Sequence, residues 1–106
     1  MAWIILVCAG LMEIVWAFFM KKSAGFTLAG PAAVTIAAML ASVALLSVSM
    51  KTLPLGTAYT VWTGIGAVGA FLAGVAFLGE AATLPRILAA ALIVAGIVMM
   101  KLSSAE

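Results

Sequence analysis

The sequence predicts an all-α membrane protein with four transmembrane helices. Three observations carry that reading. Hydrophobic residues make up 68% of the chain and the mean hydropathy is +1.41, whereas soluble domains average roughly 45–50% apolar. The apolar residues fall into four runs, each long enough for one bilayer crossing, which takes about 20 residues. The five basic and three acidic residues collect at the ends of these runs, with the exception of Glu13. Membrane β-strands are about ten residues long and alternate in polarity. These runs are twice that length and apolar all round, so helices are expected.

The helices are expected at about 2–20, 31–50, 57–78 and 84–102, forming one transmembrane domain over residues 1–106. The first run has no basic segment before it, and its two lysines follow it. A cleaved signal peptide is therefore disfavoured. Lys21-Lys22-Ser23-Ala24-Gly25-Phe26-Thr27 is a polar break. Pro31 suits the first turn of the second helix, where its missing N–H costs nothing. Lys51-Thr52-Leu53-Pro54-Leu55-Gly56 is punctuated by Pro and Gly. Gly79-Glu80-Ala81-Ala82-Thr83 separates the third and fourth helices, and Pro85 lies near the start of the fourth. So little chain falls outside the runs that function is expected within the membrane. The basic residues sit at segment ends and form no face that tracks a phosphate backbone, so no nucleic-acid partner is expected. With no His and a single Cys, Cys8, neither a metal cluster nor an intrachain disulfide is expected. No cofactor and no enzymatic activity are expected either.

Glu13 is the residue the rest is organised around. A carboxylate at mid-helix costs on the order of 2.5–3.5 kcal/mol on insertion scales, and such residues face a protein interior or a wet cavity. Residues three and four apart share its face: Ala9, Gly10, Trp16 and Ala17. A carboxylate beside an indole suits a flat organic cation, through charge and cation–π attraction. The spacing alone suits Trp16 equally well as a packing aromatic. On the third helix, Tyr59, Trp62, Thr63 and Gly66 form one stripe of helical spacing. Polar-tipped aromatics in a membrane interior need partners, and Glu13 is the interior acid available to them. Tyr59 also fits an interfacial belt. Gly64, Gly66 and Gly69 mark a candidate hinge or sliding surface; close helix packing through small residues is the plainer reading. Ser42, near the middle of the second helix, is placed to orient Glu13 or a ligand, or to bond its own helix. The fourth helix carries Ala89, Ile93 and Gly96 along one side, a spacing that suits helix association and dimer packing.

With the N-terminus inside, Lys51 and Lys101 lie inside while Lys21, Lys22 and Arg86 lie outside. The positive-inside rule needs an imbalance to choose an orientation, and this near-balance favours insertion both ways. Alternating-access transporters commonly use inverted repeats around a midplane site. One short chain cannot hold both halves, but two oppositely inserted copies can. An antiparallel dual-topology homodimer follows, with its two Glu13 side chains near the centre.

Glu13-Ile14-Val15-Trp16, Lys22-Ser23-Ala24-Gly25-Phe26-Thr27 and the run from Thr52-Leu53-Pro54-Leu55-Gly56-Thr57-Ala58-Tyr59 through Thr60-Val61-Trp62-Thr63-Gly64-Ile65-Gly66 closely resemble the small multidrug resistance family, over essentially the whole chain. Trp16, Ser42 and Lys51 resemble its guanidinium-exporter subtype. The resemblance implies an antiparallel homodimer that exchanges guanidinium for protons across the bacterial inner membrane. It implies that Glu13 binds substrate or proton, that Trp16 and Ser42 hold the Glu13 carboxylates, and that Tyr59 and Trp62 line the pocket and assist switching. Ala81, where relatives often have Pro, and Pro85 depart from the pattern near helix four. The nearest alternative is export of lipophilic quaternary ammonium cations. A rotor-type proteolipid and a non-transporting membrane subunit are the rivals from other classes.

Overall fold

The computed structural model describes residues 1–103. They form four α-helices: α1 (Ala2–Lys22), α2 (Ala29–Ser49), α3 (Leu55–Phe77) and α4 (Leu84–Leu102). All four are long and apolar enough to cross a membrane, so the chain is a multi-pass membrane protein.

The helix ends differ slightly from the apolar runs, for local reasons. α1 continues through Lys21 and Lys22, good helix formers whose charge complements the negative end of the helix dipole. It stops at Ser23, which is fully buried. The Ser23 hydroxyl donates to the Met20 carbonyl at 2.7 Å and accepts from the Phe26 N–H at 3.0 Å. Its carbonyl accepts from the N–H groups of Thr27 and Leu28. Those bonds hold Ala24 and Phe26 at positive φ, a conformation costing roughly 1–2 kcal/mol for a residue with a Cβ. The polar break after α1 is thus a tight reverse turn built on one serine. α2 begins before Pro31, because a proline in the first turn needs no N–H partner. α3 begins directly after Pro54, and α4 holds Pro85 in its first turn.

α1 lies between α2 and α3, while α4 leans on α3. Lys101 also reaches from the end of α4 to lie 4.8 Å over the Trp3 ring of α1. The core joins Leu6 and Ala9 of α1, Leu46 of α2, Leu53 of the second loop, and Ala58, Val61 and Trp62 of α3. These residues occupy the end of the bundle where α1 and α3 begin and α2 ends. Glu13 and Gly66 lie just beyond it, about mid-span.

Candidate functional site

Glu13 points from α1 onto α3. A Cβ built on Gly66 would overlap the Glu13 carboxyl group, so the acid rests directly on the glycine's backbone. About one turn further along α3, Gly69 receives Ile14, the residue next to Glu13 on α1, in the same way. One turn before Glu13, the relation reverses: a Cβ on Gly10 would lie 2.7 Å from the Ile65 side chain. Glycines on both helices therefore bring α1 and α3 together around the carboxyl group.

The Glu13 Oε1 and the Trp16 Nε1 are both buried and without a hydrogen-bond partner among the described residues. In a low-dielectric interior an unpaired polar atom costs about 1–3 kcal/mol. An acceptor and a donor one turn apart on α1 both carry this cost.

Ser42 and Trp62 are joined, but to each other. The Trp62 Nε1 donates to Ser42 Oγ at 2.9 Å, and Ser42 Oγ donates to the Ala9 carbonyl at 2.7 Å. Within this chain, then, neither Trp62 nor Ser42 hydrogen-bonds Glu13 among the described residues. Ser42 is fully buried and bonds across three helices. The relay ties α1, α2 and α3 one turn from Glu13. The Ala9 carbonyl had no signal in the sequence, since any helical residue offers one.

The α3 stripe divides between two faces. Trp62 is 9% exposed and turns inward, as does Gly66, whereas Tyr59 is 54% exposed. Tyr59 and Thr63 instead line a cleft of about 580 Å³ between α3 and α4, opposite Ile93 and Gly96. The Tyr59 and Trp62 rings remain neighbours, 5.6 Å apart and tilted by 47°. α3 runs unbroken through Gly64, Gly66 and Gly69. Each of the three faces a side chain closely: Gly64 meets Ile97 and Ile93 of α4, Gly66 meets Glu13, and Gly69 meets Ile14. Close packing explains them in this conformation. Ala89 and Gly96 are exposed on α4, and Ile93 is partly so. Cys8 is exposed on α1.

Four apolar helices, with a mid-span carboxyl group seated between α1 and α3, define a polytopic membrane protein. The small multidrug resistance protein model matches residues 1–93, and the chain belongs to the small multidrug resistance family. Over 104 residues it is 57% identical to a guanidinium exporter of Citrobacter freundii, covering 98% of this chain and 99% of that one. It is 58% identical to a guanidinium exporter of Yersinia pseudotuberculosis, covering 98% and 100%.

Proposed function

We propose that the chain exports guanidinium across the bacterial inner membrane in exchange for protons, working as an antiparallel homodimer. The observation that carries this reading is the Glu13 carboxyl group, seated on Gly66 at mid-span with a buried, unpartnered oxygen. The similarity to guanidinium exporters along nearly the whole chain supports the choice of cation.

Guanidinium is planar, stays charged at physiological pH, and presents forked N–H donors that match a carboxylate in bidentate fashion. Glu13 takes it in that plane, and the Trp16 ring, one turn along α1, packs beside it. Trp16 also brings a donor free to bind a carboxylate of the second copy. Ser42 acts at one remove, by fixing Trp62 and the α1 backbone. Tyr59 and Thr63 border the site from the α4 side. The glycine contacts of α3 give surfaces along which α1 and α4 slide as the protomers exchange shapes. In an antiparallel pair that exchange turns an inward-facing dimer into an outward-facing one of equal energy. Proton and guanidinium compete for the same pair of acids. An unloaded pair is costly to carry across hydrocarbon, so switching favours loaded states, and the two fluxes are coupled.

The test is guanidinium-evoked proton movement in liposomes containing only this protein. Wild type is expected to respond, and Glu13→Gln to lose at least about a hundredfold in rate, since the mutant keeps shape but not charge. Proton-driven guanidinium uptake by Glu13→Gln at the wild-type rate would refute the mechanism. A response to tetramethylammonium as strong as to guanidinium would refute the cation assignment, because that ion has no N–H to donate.

A further inference from the structure

The loop after α3 sets a second acid where a helix does not favour one. Gly79, at φ +70°, reverses the chain. The N–H groups of Leu78 and Glu80 then both donate to the Gly74 carbonyl, at 3.0 and 3.1 Å. The Glu80 side chain folds back over Gly74, where a Cβ would lie 2.7 Å from its carboxyl carbon. Two glycines thus hold a carboxylate against the last turns of α3. Helix C-termini favour cations and disfavour anions, so helix stability does not account for this placement.

Glu80 stands at one end of a cleft of about 380 Å³ whose walls include Ala17, Phe18, Lys21, Ala67 and Gly74. The cleft's inner end reaches the level of the candidate site. Ala17 is one turn beyond Glu13 on the same face of α1, and Ala67 adjoins Gly66, on which Glu13 rests. From Gly66 to Gly74 the rise along α3 is about 12 Å. The cleft therefore runs from the level of the residues next to the mid-span acid's seat to the end of the bundle, with a carboxylate and an ammonium at its outer rim. The other cations nearby have contacts of their own. Lys22 lies 5.7 Å over the Phe18 ring, and Arg86 donates to the Ala81 carbonyl at 3.5 Å.

We propose that Glu80 is an outer docking site for the transported cation, at the mouth of an access path to Glu13, and that Lys21 sets how weakly it holds. This rests on the functional reading above. A guanidinium arriving from water meets the Glu80 carboxylate first, makes a charge-assisted pair, and passes inward to the desolvated acid. A site on a conduction path must attract enough to fill and bind weakly enough to empty. Lys21, on the same rim, supplies the opposing charge that keeps the stay short.

The experiment measures guanidinium KM and maximal rate in proteoliposomes for wild type, Glu80→Gln and Lys21→Gln, at low and high salt. At about 0.01 M the Debye length is roughly 30 Å, and at about 1 M it is roughly 3 Å. At low salt, Glu80→Gln is expected to raise KM about three- to tenfold with the maximal rate retained, and Lys21→Gln to lower KM about twofold; rim charges act on encounter in this way. Both shifts are expected to collapse at high salt. An unchanged KM for Glu80→Gln, a shift that persists at high salt, a loss confined to the maximal rate, or a raised KM for Lys21→Gln would each overturn the docking site and leave the Glu13 reading standing. A wild-type protein that moves no guanidinium overturns both.

Discussion

α1 and α4 are close in length and equally dominated by hydrocarbon, yet they sit in opposite settings. α1 is wedged between α2 and α3 and buries Leu6, Ala9 and Gly10, while α4 buries no residue at all. The contrast shows that apolarity places a helix in the membrane but does not choose its neighbours. The neighbours follow from small residues and polar anchors. α1 offers Gly10 to Ile65 and accepts Gly66 and Gly69 of α3, and its Ala9 carbonyl takes a hydroxyl from α2. α4 meets α3 mainly through Ile93 and Ile97 against Gly64, Met100 packs against the core, and Lys101 reaches Trp3 of α1; all but three of its residues are exposed.

The largest effect that sharpens this contrast lies on the α1 side. Gly66→Ala places a methyl group where the Glu13 carboxyl now rests. The carboxyl is the mobile end of a flexible side chain, so the helices need not part. A helical Gly→Ala exchange even gains about 1 kcal/mol from backbone entropy. Thermal stability in detergent is therefore expected to hold or rise. Guanidinium-driven proton flux is expected to fall at least about tenfold, because a displaced carboxylate loses its fit to a planar cation. Flux at the wild-type level in Gly66→Ala would show that the seat on α3 plays no part in binding.

Much of this was legible from the chain. Four helices follow from four apolar runs, and Glu13 stands out because no other charge interrupts one. The glycine, aromatic and hydroxyl positions on α3 were visible as a stripe, but a stripe of i, i+3, i+4 and i+7 is wide enough to serve two neighbours. Spacing could not show that Trp62 and Gly66 face inward while Tyr59 and Thr63 border α4. Nor could it assign the Trp62 N–H to Ser42, since that choice depends on how α2 is rotated against α1. Lys21 and Glu80 read from the sequence only as charges at the ends of apolar runs. The hint was local: Gly79, two residues after the last residue of α3, is a helix-stop signal, and the residue after such a glycine is turned back along the helix it follows.

The next effect tests what covers α4. A Cβ added at Gly96 meets nothing within 4 Å, so the base of a Gly96→Phe side chain has room within the chain, and its ring projects from the exposed face of α4 or over the cleft that Tyr59 and Thr63 line. If an antiparallel second copy packs there, the ring intrudes on it. The crosslinked dimer fraction is then expected to drop, with the apparent association constant falling about tenfold, or about 1.4 kcal/mol. Gly56→Phe, at a loop-proximal site that is equally open, is the matched control. Equal dimer fractions for the two variants would mean that this face of α4 meets lipid, and the dimer would have to form elsewhere.

The smallest effect returns to the three packed helices. Trp62→Phe keeps an aromatic ring in the core but removes the N–H that reaches Ser42. Ser42 retains its bond to the Ala9 carbonyl, so no donor is stranded. Hydrogen bonds between membrane helices average about 0.6 kcal/mol and reach about 1.7 kcal/mol, so the stability loss is expected within that range. Ser42→Ala differs, because it strands the Trp62 N–H in a buried site. An unpaired buried donor costs about 1–3 kcal/mol, so Ser42→Ala is expected to lose more stability than Trp62→Phe. Thermal unfolding of both single variants and the double variant decides the matter. If the relay holds the helices, Ser42→Ala made in the Trp62→Phe background costs less than in wild type. Strict additivity would mean that Ser42 and Trp62 support α1 independently, and that the bond between them adds nothing to the rigidity of the three helices.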